Sequence, residues 1–412
     1  MKNRILSMVL AVCMAFTMMP VAAFAETAQI PQGPHSHPSI DSGMDNSVGS
    51  GIGSSIDSGK AAATRQAKAG AWDGNTKTPV TPSTTGSVKT YTVITGAQLA
   101  WIAQEVNLGN NADFTNSSTT VKLAADIDLG GYKWTPIGKD TSPFVCNFDG
   151  VNLTVSNFTT TSDNDNQGLF GVVGSNGKID NLTVSGTVTG TINVGGIVGY
   201  NNGGTITNCY NSGTVKGTGN YTGGIAGNNS GTITGCRNSG AVTGTGNYTG
   251  GIAGYNYNGT IENCTNSGAV TGTKDSTGGI VGYNKGTRGG TNGTITNCNN
   301  SGTVNGDSNN IGGITGRNNN GTIQNCSNTG DVTGTAYTTA GITGINVTNN
   351  SIIKNCSNSG AVKGSKDYTG GIVGDNRGKI TSCSCSNTST VTGTDNVGGI
   401  AGRAYSGTVT NC

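Results

Sequence analysis

The stretch Gly195–Gly213 reads GGIVGYNNGGTITNCYNSG, and variants of it recur without a break to the last residue of the 412-residue chain. The residue opening each copy falls at Gly195, Gly223, Gly250, Gly278, Gly312, Ala340, Gly370 and Gly398, so successive copies lie 28, 27, 28, 34, 28, 30 and 28 residues apart. A weaker copy begins at Gln167. A period of this size marks a repeat architecture, in which one continuous core replaces the two or three globular domains that length alone would suggest.

Aligning the copies gives three apolar columns. One runs Leu169, Ile197, Ile225, Ile252, Ile280, Ile314, Ile342, Ile372, Ile400, and a second runs Ile179, Ile206, Ile233, Ile261, Ile295, Ile323, Ile353, Ile380, Val409. The third is all valine: Val188, Val215, Val242, Val270, Val304, Val332, Val362 and Val391. Three β-branched columns per copy predict three short strands per ~28-residue coil, each stacking its inward side chain on the equivalent residue one turn away. Parallel pairing at about 4.8 Å per coil would make eight to nine coils a rod on the order of 40 Å long. Gly-Gly and Asn-Ser-Gly segments supply the positive φ angles that the corners need. The fold class expected is therefore all-β, a parallel β-helix.

Composition agrees. Apolar residues make up only 33% of the chain, but charged residues are also few, at 11%, and 71 glycines carry much of the rest, so charge-driven disorder does not describe the repeats. The net charge of +2 offers no electrostatic footprint for nucleic acid or an anionic membrane.

The chain before the repeats divides into three. Residues 1–25 open on Lys2 and Arg4, run through an apolar stretch and close on Ala23-Phe24-Ala25, the pattern of a secretory signal cleaved after Ala25. The rival reading, a lipoprotein signal at Cys13, places bulky Val12 before the lipidated residue. No later run of eighteen apolar residues predicts a transmembrane segment. Residues 26–89 are rich in Ser, Gly, Pro and Ala and read as a flexible linker. They hold His35 and His37, the only histidines, too few for a stable metal site. Residues 90–166 concentrate the large aromatics and read as an N-terminal cap with the first coils. There Thr95 and Gln98 have capping-box spacing, and Leu99, Ile102, Ala103 and Val106 form a helical stripe. Short strands are expected at 121–123, 127–129 and 151–155. Trp101 and Trp134 read as core, with a sugar site as the alternative.

Cys209, Cys236, Cys264, Cys298, Cys326, Cys356, Cys383 and Cys412 form a further column, whose place in the first copy is taken by Leu182. That leucine favours a buried structural ladder of thiols over bridges between adjacent coils, although coil spacing lies within disulfide range. Single thiols lack the paired spacing of zinc sites. Asn211, Asn238, Asn266, Asn300, Asn328 and Asn358 make an asparagine column suited to amide stacking. Tyr221, Tyr248 and Tyr368 share one position, and Tyr200, Tyr255 and Tyr283 another; such rows are the candidate ligand-binding surface, uneven because other copies carry Asn, Ser, Thr, Arg or Asp there.

The search for catalysis gives none. The repeats contain no histidine, which removes histidine-dependent nucleophile arrangements and the HExxH zinc signature. Asp275 and Asp367 share a turn position but lie three copies apart, too far for a glycosidase carboxylate pair at about 4.8 Å per coil. Asp163 and Asp165 lack the further ligands of a calcium site. No cofactor or metal is implied.

Gly168-Leu169-Phe170-Gly171 and Gly196-Ile197-Val198-Gly199, each followed by GxIxN, an apolar residue and SGxVxG, resemble the GLUG motif over about residues 167–412. Asp126–Gly131, Trp134–Gly138 and Phe148-Asp149-Gly150 resemble the entry segment of the same bacterial surface proteins. The resemblance implies a right-handed parallel β-helix in exported adhesin-like proteins and in the non-catalytic part of IgA-cleaving zinc peptidases, whose zinc ligands have no counterpart here.

Together these readings give a secreted or cell-surface adhesin-like solenoid acting as an extended binding surface or stalk, with host or microbial surface glycans or proteins as partners. The alternative is an extracellular polysaccharide lyase or glycoside hydrolase on the same scaffold. An ice-binding threonine face is interrupted by Glu262, Gln324 and Lys354 in the Thr207 and Thr234 column. The chain stops partway through a copy at Cys412, so further domains are expected beyond it.

Overall fold

The computed structural model describes residues 70–161, 163–289, 293–381 and 386–412. The expected signal segment, His35, His37 and Cys383 lie outside the described residues.

From about residue 178 onward the chain winds as a parallel β-solenoid. Each coil is broken more finely than three strands. One full turn runs through Thr205–Thr207, Tyr210–Asn211, Thr214–Gly217, Thr222–Gly223 and Ala226–Asn229, five short segments joined by bends. Each segment pairs in parallel, in register, with its counterpart 27 residues on: Ile206 with Ile233, Asn211 with Asn238, Val215 with Val242, Thr222 with Thr249 and Ala226 with Ala253. Among the described residues these ladders build one long sheet, an eight-stranded sheet and a nine-stranded sheet. The second isoleucine column and the valine column lie in strands, as their β-branched character favours. The Ile225 column instead occupies a bend, where the Ile225 N–H donates to the Ile252 carbonyl at 3.0 Å. The side chains of all three columns are buried through most of the coils.

Corners need backbone that few residues adopt readily. Among the described residues the one before a column cysteine is left-handed: Asn208, Asn263, Asn297, Asn325 and Asn355 have φ between 51° and 54°, Asn411 is at 56°, and Gly235 fills the same place at 65°. Asparagine and glycine are the residues that reach this region at least cost. Elsewhere close approach sets the choice. A Cβ on Gly240 would meet the backbone carbonyl oxygen of Gly213 on the preceding coil.

Ahead of the coils lies the cap, which reaches further upstream than the linker boundary at 89. Trp72 is buried, and Ser83–Thr85 pairs antiparallel with Val88–Val93, so residues 70–89 belong to the cap. The linker composition conceals a single large apolar anchor. Helix α1, Gly96–Leu108, begins with the capping box at Thr95 and Gln98 and ends on left-handed Gly109. Its buried stripe is Leu99, Ile102, Ala103 and Val106. Val88–Val93, Thr120–Leu123, Asn147–Thr159 and Lys178–Gly190 then pair in sequence as parallel neighbours, and the last carries the ladder into the coils. Trp134 is 2% exposed with its Nε1–H donating to the Leu169 carbonyl at 2.9 Å and is a core residue, whereas Trp101 is half-buried and packs against the core on Tyr91 and Phe114.

Candidate functional site

Four side-chain ladders run along the coils, three inside and one outside. Cys209, Cys236, Cys264, Cys298, Cys326 and Cys356 are buried free thiols, and the Cys209 N–H points at the Cys236 sulfur at 3.4 Å. Burial pushes the Cys236 and Cys326 thiols well up, so these sulfurs stay protonated and unreactive. Cys412 is exposed. The asparagine column is continuous from Asn211 to Asn387. Each amide donates to the next one's oxygen at 2.7 to 2.9 Å and, through the same Nδ2, to a backbone carbonyl such as Gly213 or Gly240.

A second asparagine ladder was not singled out from the sequence. It runs Asn201, Asn229, Asn256, Asn284, Asn318, Asn346 and Asn376 with links of 2.7 to 3.0 Å. Its signal was available: the same spacing, two residues after each second Gly of the GxxG core or its counterpart. Both ladders give buried amide N–H donors partners whose loss would cost about 1–3 kcal/mol each.

The outer ladder is aromatic. Four of the six tyrosines expected at the surface come together: Tyr221 stacks on Tyr248 (ring centroids 5.5 Å) and Tyr255 (5.0 Å), and Tyr283 joins Tyr248 (5.1 Å) and Tyr255 (5.3 Å). Tyr257 extends the group from Tyr255 at 6.0 Å. Tyr200 lies in register with Asn228 and donates its hydroxyl to Asn202, apart from the cluster. Tyr368 stands elsewhere, under the Arg403 guanidinium at 4.0 Å and beside Tyr337. Register explains the grouping, since Tyr255 pairs with Tyr283 on successive strands while their neighbours in the column are Asn228 and Arg317.

The stacking changes what the surface offers. Interplanar angles of 12° and 21° turn the faces of Tyr221, Tyr248 and Tyr255 toward one another. Arg317 lies over Tyr283 at 5.3 Å and Lys285 over Tyr257 at 5.5 Å. Ring edges, flanked by two cations, are therefore what face outward, and the Tyr283 hydroxyl accepts from the Asn319 amide at 3.1 Å. Burial pushes the Tyr248 and Tyr255 phenols up, so they remain neutral donors and acceptors at physiological pH. Sequence reasoning missed Tyr257, Lys285 and Arg317; the first two follow Tyr255 and Tyr283 by two residues on the same strand face.

Tyr221, Tyr248 and Tyr368 carry a second signature. Their φ angles are 68°, 67° and 66°, a left-handed conformation that costs a bulky L-residue of order 1 kcal/mol. At the equivalent corners stand Asn193, Asn310 and Asn396, the residue type that tolerates this backbone, and also Ser276 (69°) and Thr338 (59°). Tyrosine is thus held where asparagine would be the comfortable choice.

Asp275, read from the sequence as too far from Asp367 to form a carboxylate pair, accepts from the Ser308 hydroxyl and from the Asn309 amide on the next coil. Among the described residues no three His, Cys, Asp or Glu side chains converge as a metal site, and no helix is long and apolar enough to cross a membrane.

This architecture defines a repeat-built parallel β-solenoid. The chain carries GLUG-motif repeats, matched at residues 190–216, 245–271 and 307–333. A "Putative Gly-rich membrane protein" of Evansella cellulosilytica is 33% identical over 113 residues, 25% of this chain and 13% of that protein's length. The chain is also similar to a crystal structure described as a "putative immunoglobulin A1 protease" from Bacteroides ovatus, at 22% identity over 77% of this chain and 85% of that one, with a TM-score of 0.43.

Proposed function

We propose that the protein is an exported, adhesin-type solenoid that binds surface glycans along the outer face built by Tyr221, Tyr248, Tyr255, Tyr257 and Tyr283. The observation that carries this reading is the stacking of Tyr221 on Tyr248 and Tyr255 with Tyr283 alongside, a run of rings that the corner itself does not require because Asn, Ser or Thr fills it in other coils. Repetition at about 4.8 Å aligns ring edges along the coil axis, which suits a ligand that is itself a linear polymer. Arg317 and Lys285 at the margins favour polymers bearing carboxylate or sulfate groups.

The test replaces Tyr221, Tyr248 and Tyr255 by Asn and measures binding on a glycan array alongside thermal stability. The reading requires array binding to disappear while the melting temperature holds or rises, since left-handed strain is relieved. Retained binding, or no binding by the unsubstituted protein, would reduce the tyrosines to corner residues and the chain to a spacer.

A further inference from the structure

A second surface lies in the cap, independent of the tyrosine face. A cleft of about 320 Å³ opens between helix α1, the segment around residues 72–77 and the loop around 133–139. That volume is at the lower end of small-ligand sites. Its walls are fixed in place. The Thr78 N–H donates to the Ala97 carbonyl on the helix at 3.0 Å, and Asn107 of the helix grips the opposite loop twice, donating to the Pro136 carbonyl at 2.9 Å and accepting from the Gly138 N–H at 2.8 Å. Trp72 and Trp134 meet edge to face at 5.9 Å across the inner wall. Both indole N–H groups are spent on backbone carbonyls, so the buried indoles back the cleft without offering a donor, and the exposed apolar surface of the lining is Leu108.

The rim is cationic. Lys77, Lys133 and Lys139 line the cleft, three of the five Lys and Arg residues between residues 70 and 160. None of the three has an ion pair among the described residues, whereas Lys89 is paired with Asp113 at 2.6 Å. Nearby carboxylates are engaged elsewhere: Asp73 accepts from the Thr76 hydroxyl and the Asn75 and Thr76 amides, Glu105 from Asn111, and Asp140 from Asn166. No carboxylate lines the cleft. Three unpaired ammonium groups around an apolar floor, with the Gln104 amide beside them, complement a ligand that carries a negative charge, hydroxyls and one apolar face.

We propose that this cleft binds an acidic sugar residue, its carboxylate held by Lys77, Lys133 and Lys139 and its ring laid over exposed Leu108 and the apolar margin of Trp72. An acidic sugar uses both parts of the lining, because an aromatic acid would leave Gln104 without a hydroxyl to meet and a neutral sugar would leave the ammonium groups unpaired. The lysines are exposed, so their replacement leaves the core intact.

The experiment titrates the full chain with trigalacturonic acid and with its methyl ester by calorimetry, using indole fluorescence as a second readout. The acid should bind with one site per chain. The ester, and the acid with the K133A/K139A variant, should bind at least about tenfold more weakly, the scale of one lost charge-assisted contact. Equal binding of acid and ester, undiminished binding by K133A/K139A at unchanged melting temperature, or no heat with the acid at millimolar concentration would each overturn the assignment. Loss of binding in Y221N/Y248N instead of the lysine variant would place the ligand on the tyrosine face and overturn it equally.

Discussion

The cap and the coils solve the same packing problem with different parts. One register column passes through both: Tyr91, Val121 and Phe148 in the cap, then Ile179, Ile206, Ile233 and Ile261 in the coils. In the cap successive members differ in size, and Phe148 is fitted to Phe170 at 5.1 Å while Phe144 meets the same ring at 5.2 Å. In the coils the members are identical and are flanked by ladders of amides and thiols. The cap is an individually shaped core, whereas a coil is complementary to the next because it is nearly the same as it. Tolerance to change should differ accordingly.

The largest effect is expected where coil meets coil through backbone. Gly240→Ala drives a methyl group into the Gly213 carbonyl, and neither strand has room to yield without breaking register. Thermal denaturation should report a loss above about 4 kcal/mol, the range reserved for severe core defects. A loss below about 1 kcal/mol would mean that the coils slide past one another more easily than in-register pairing implies.

Next comes the contrast within the single column. Phe148→Ala should cost about 3–5 kcal/mol, and Ile233→Val in a mid-coil strand about 0.5–1.5 kcal/mol, by denaturant titration. Comparable costs after allowing for the atoms removed would erase the distinction between shaped cap and repetitive coil.

The smallest effect is a pH dependence spread over both regions. Burial pushes the Cys146 thiol in the cap up to about 12 and raises Cys236 in the coils. A thiol that ionises less readily when folded leaves stability unchanged below its unfolded value, about 8.5, and costs stability as pH rises above it, by up to about 1.4 kcal/mol per pH unit for each thiol. Denaturation midpoints measured at pH 7, 9 and 10 under reducing conditions should therefore fall in that order. A flat profile would show that the thiols are solvated.

Periodicity made the coils readable. The columns at Ile206, Ile225, Val215 and Cys209 fix which side chains share a layer before any coordinates are seen, because a stacked coil repeats its sequence as it repeats its backbone. The same logic reached the helix of the cap through Thr95, Gln98 and its apolar stripe. What the sequence concealed has a physical cause in each case. Bends divide a coil into five segments rather than three because Gly-Gly pairs interrupt strands without changing the period. Trp72 was hidden in linker-like composition, since one buried ring anchors a segment whose other residues are small and polar. The tyrosines were recognised as columns, but ring orientation depends on rotamer and neighbour, so the mutual stacking of Tyr221, Tyr248 and Tyr255 and the covering of Tyr283 by Arg317 had no signature in spacing. The cleft in the cap depends on Trp72, Gln104 and Lys133, which only the fold brings together.

Register between coils underlies both the core ladders and the tyrosine face, and cross-linking reads it directly. Thr243 and Thr271 are partners on adjacent coils, so T243C/T271C places two Cα atoms about 4.8 Å apart, within disulfide reach. Asn305 lies one coil further along the same ladder, about 9.6 Å from Thr243 and beyond that reach. Mild oxidation should close the T243C/T271C bridge, read as a mass loss of two hydrogens and a peptide linking the two positions, and leave T243C/N305C open. Equal bridging of the two pairs, or bridging of the second alone, would contradict the stacked coil.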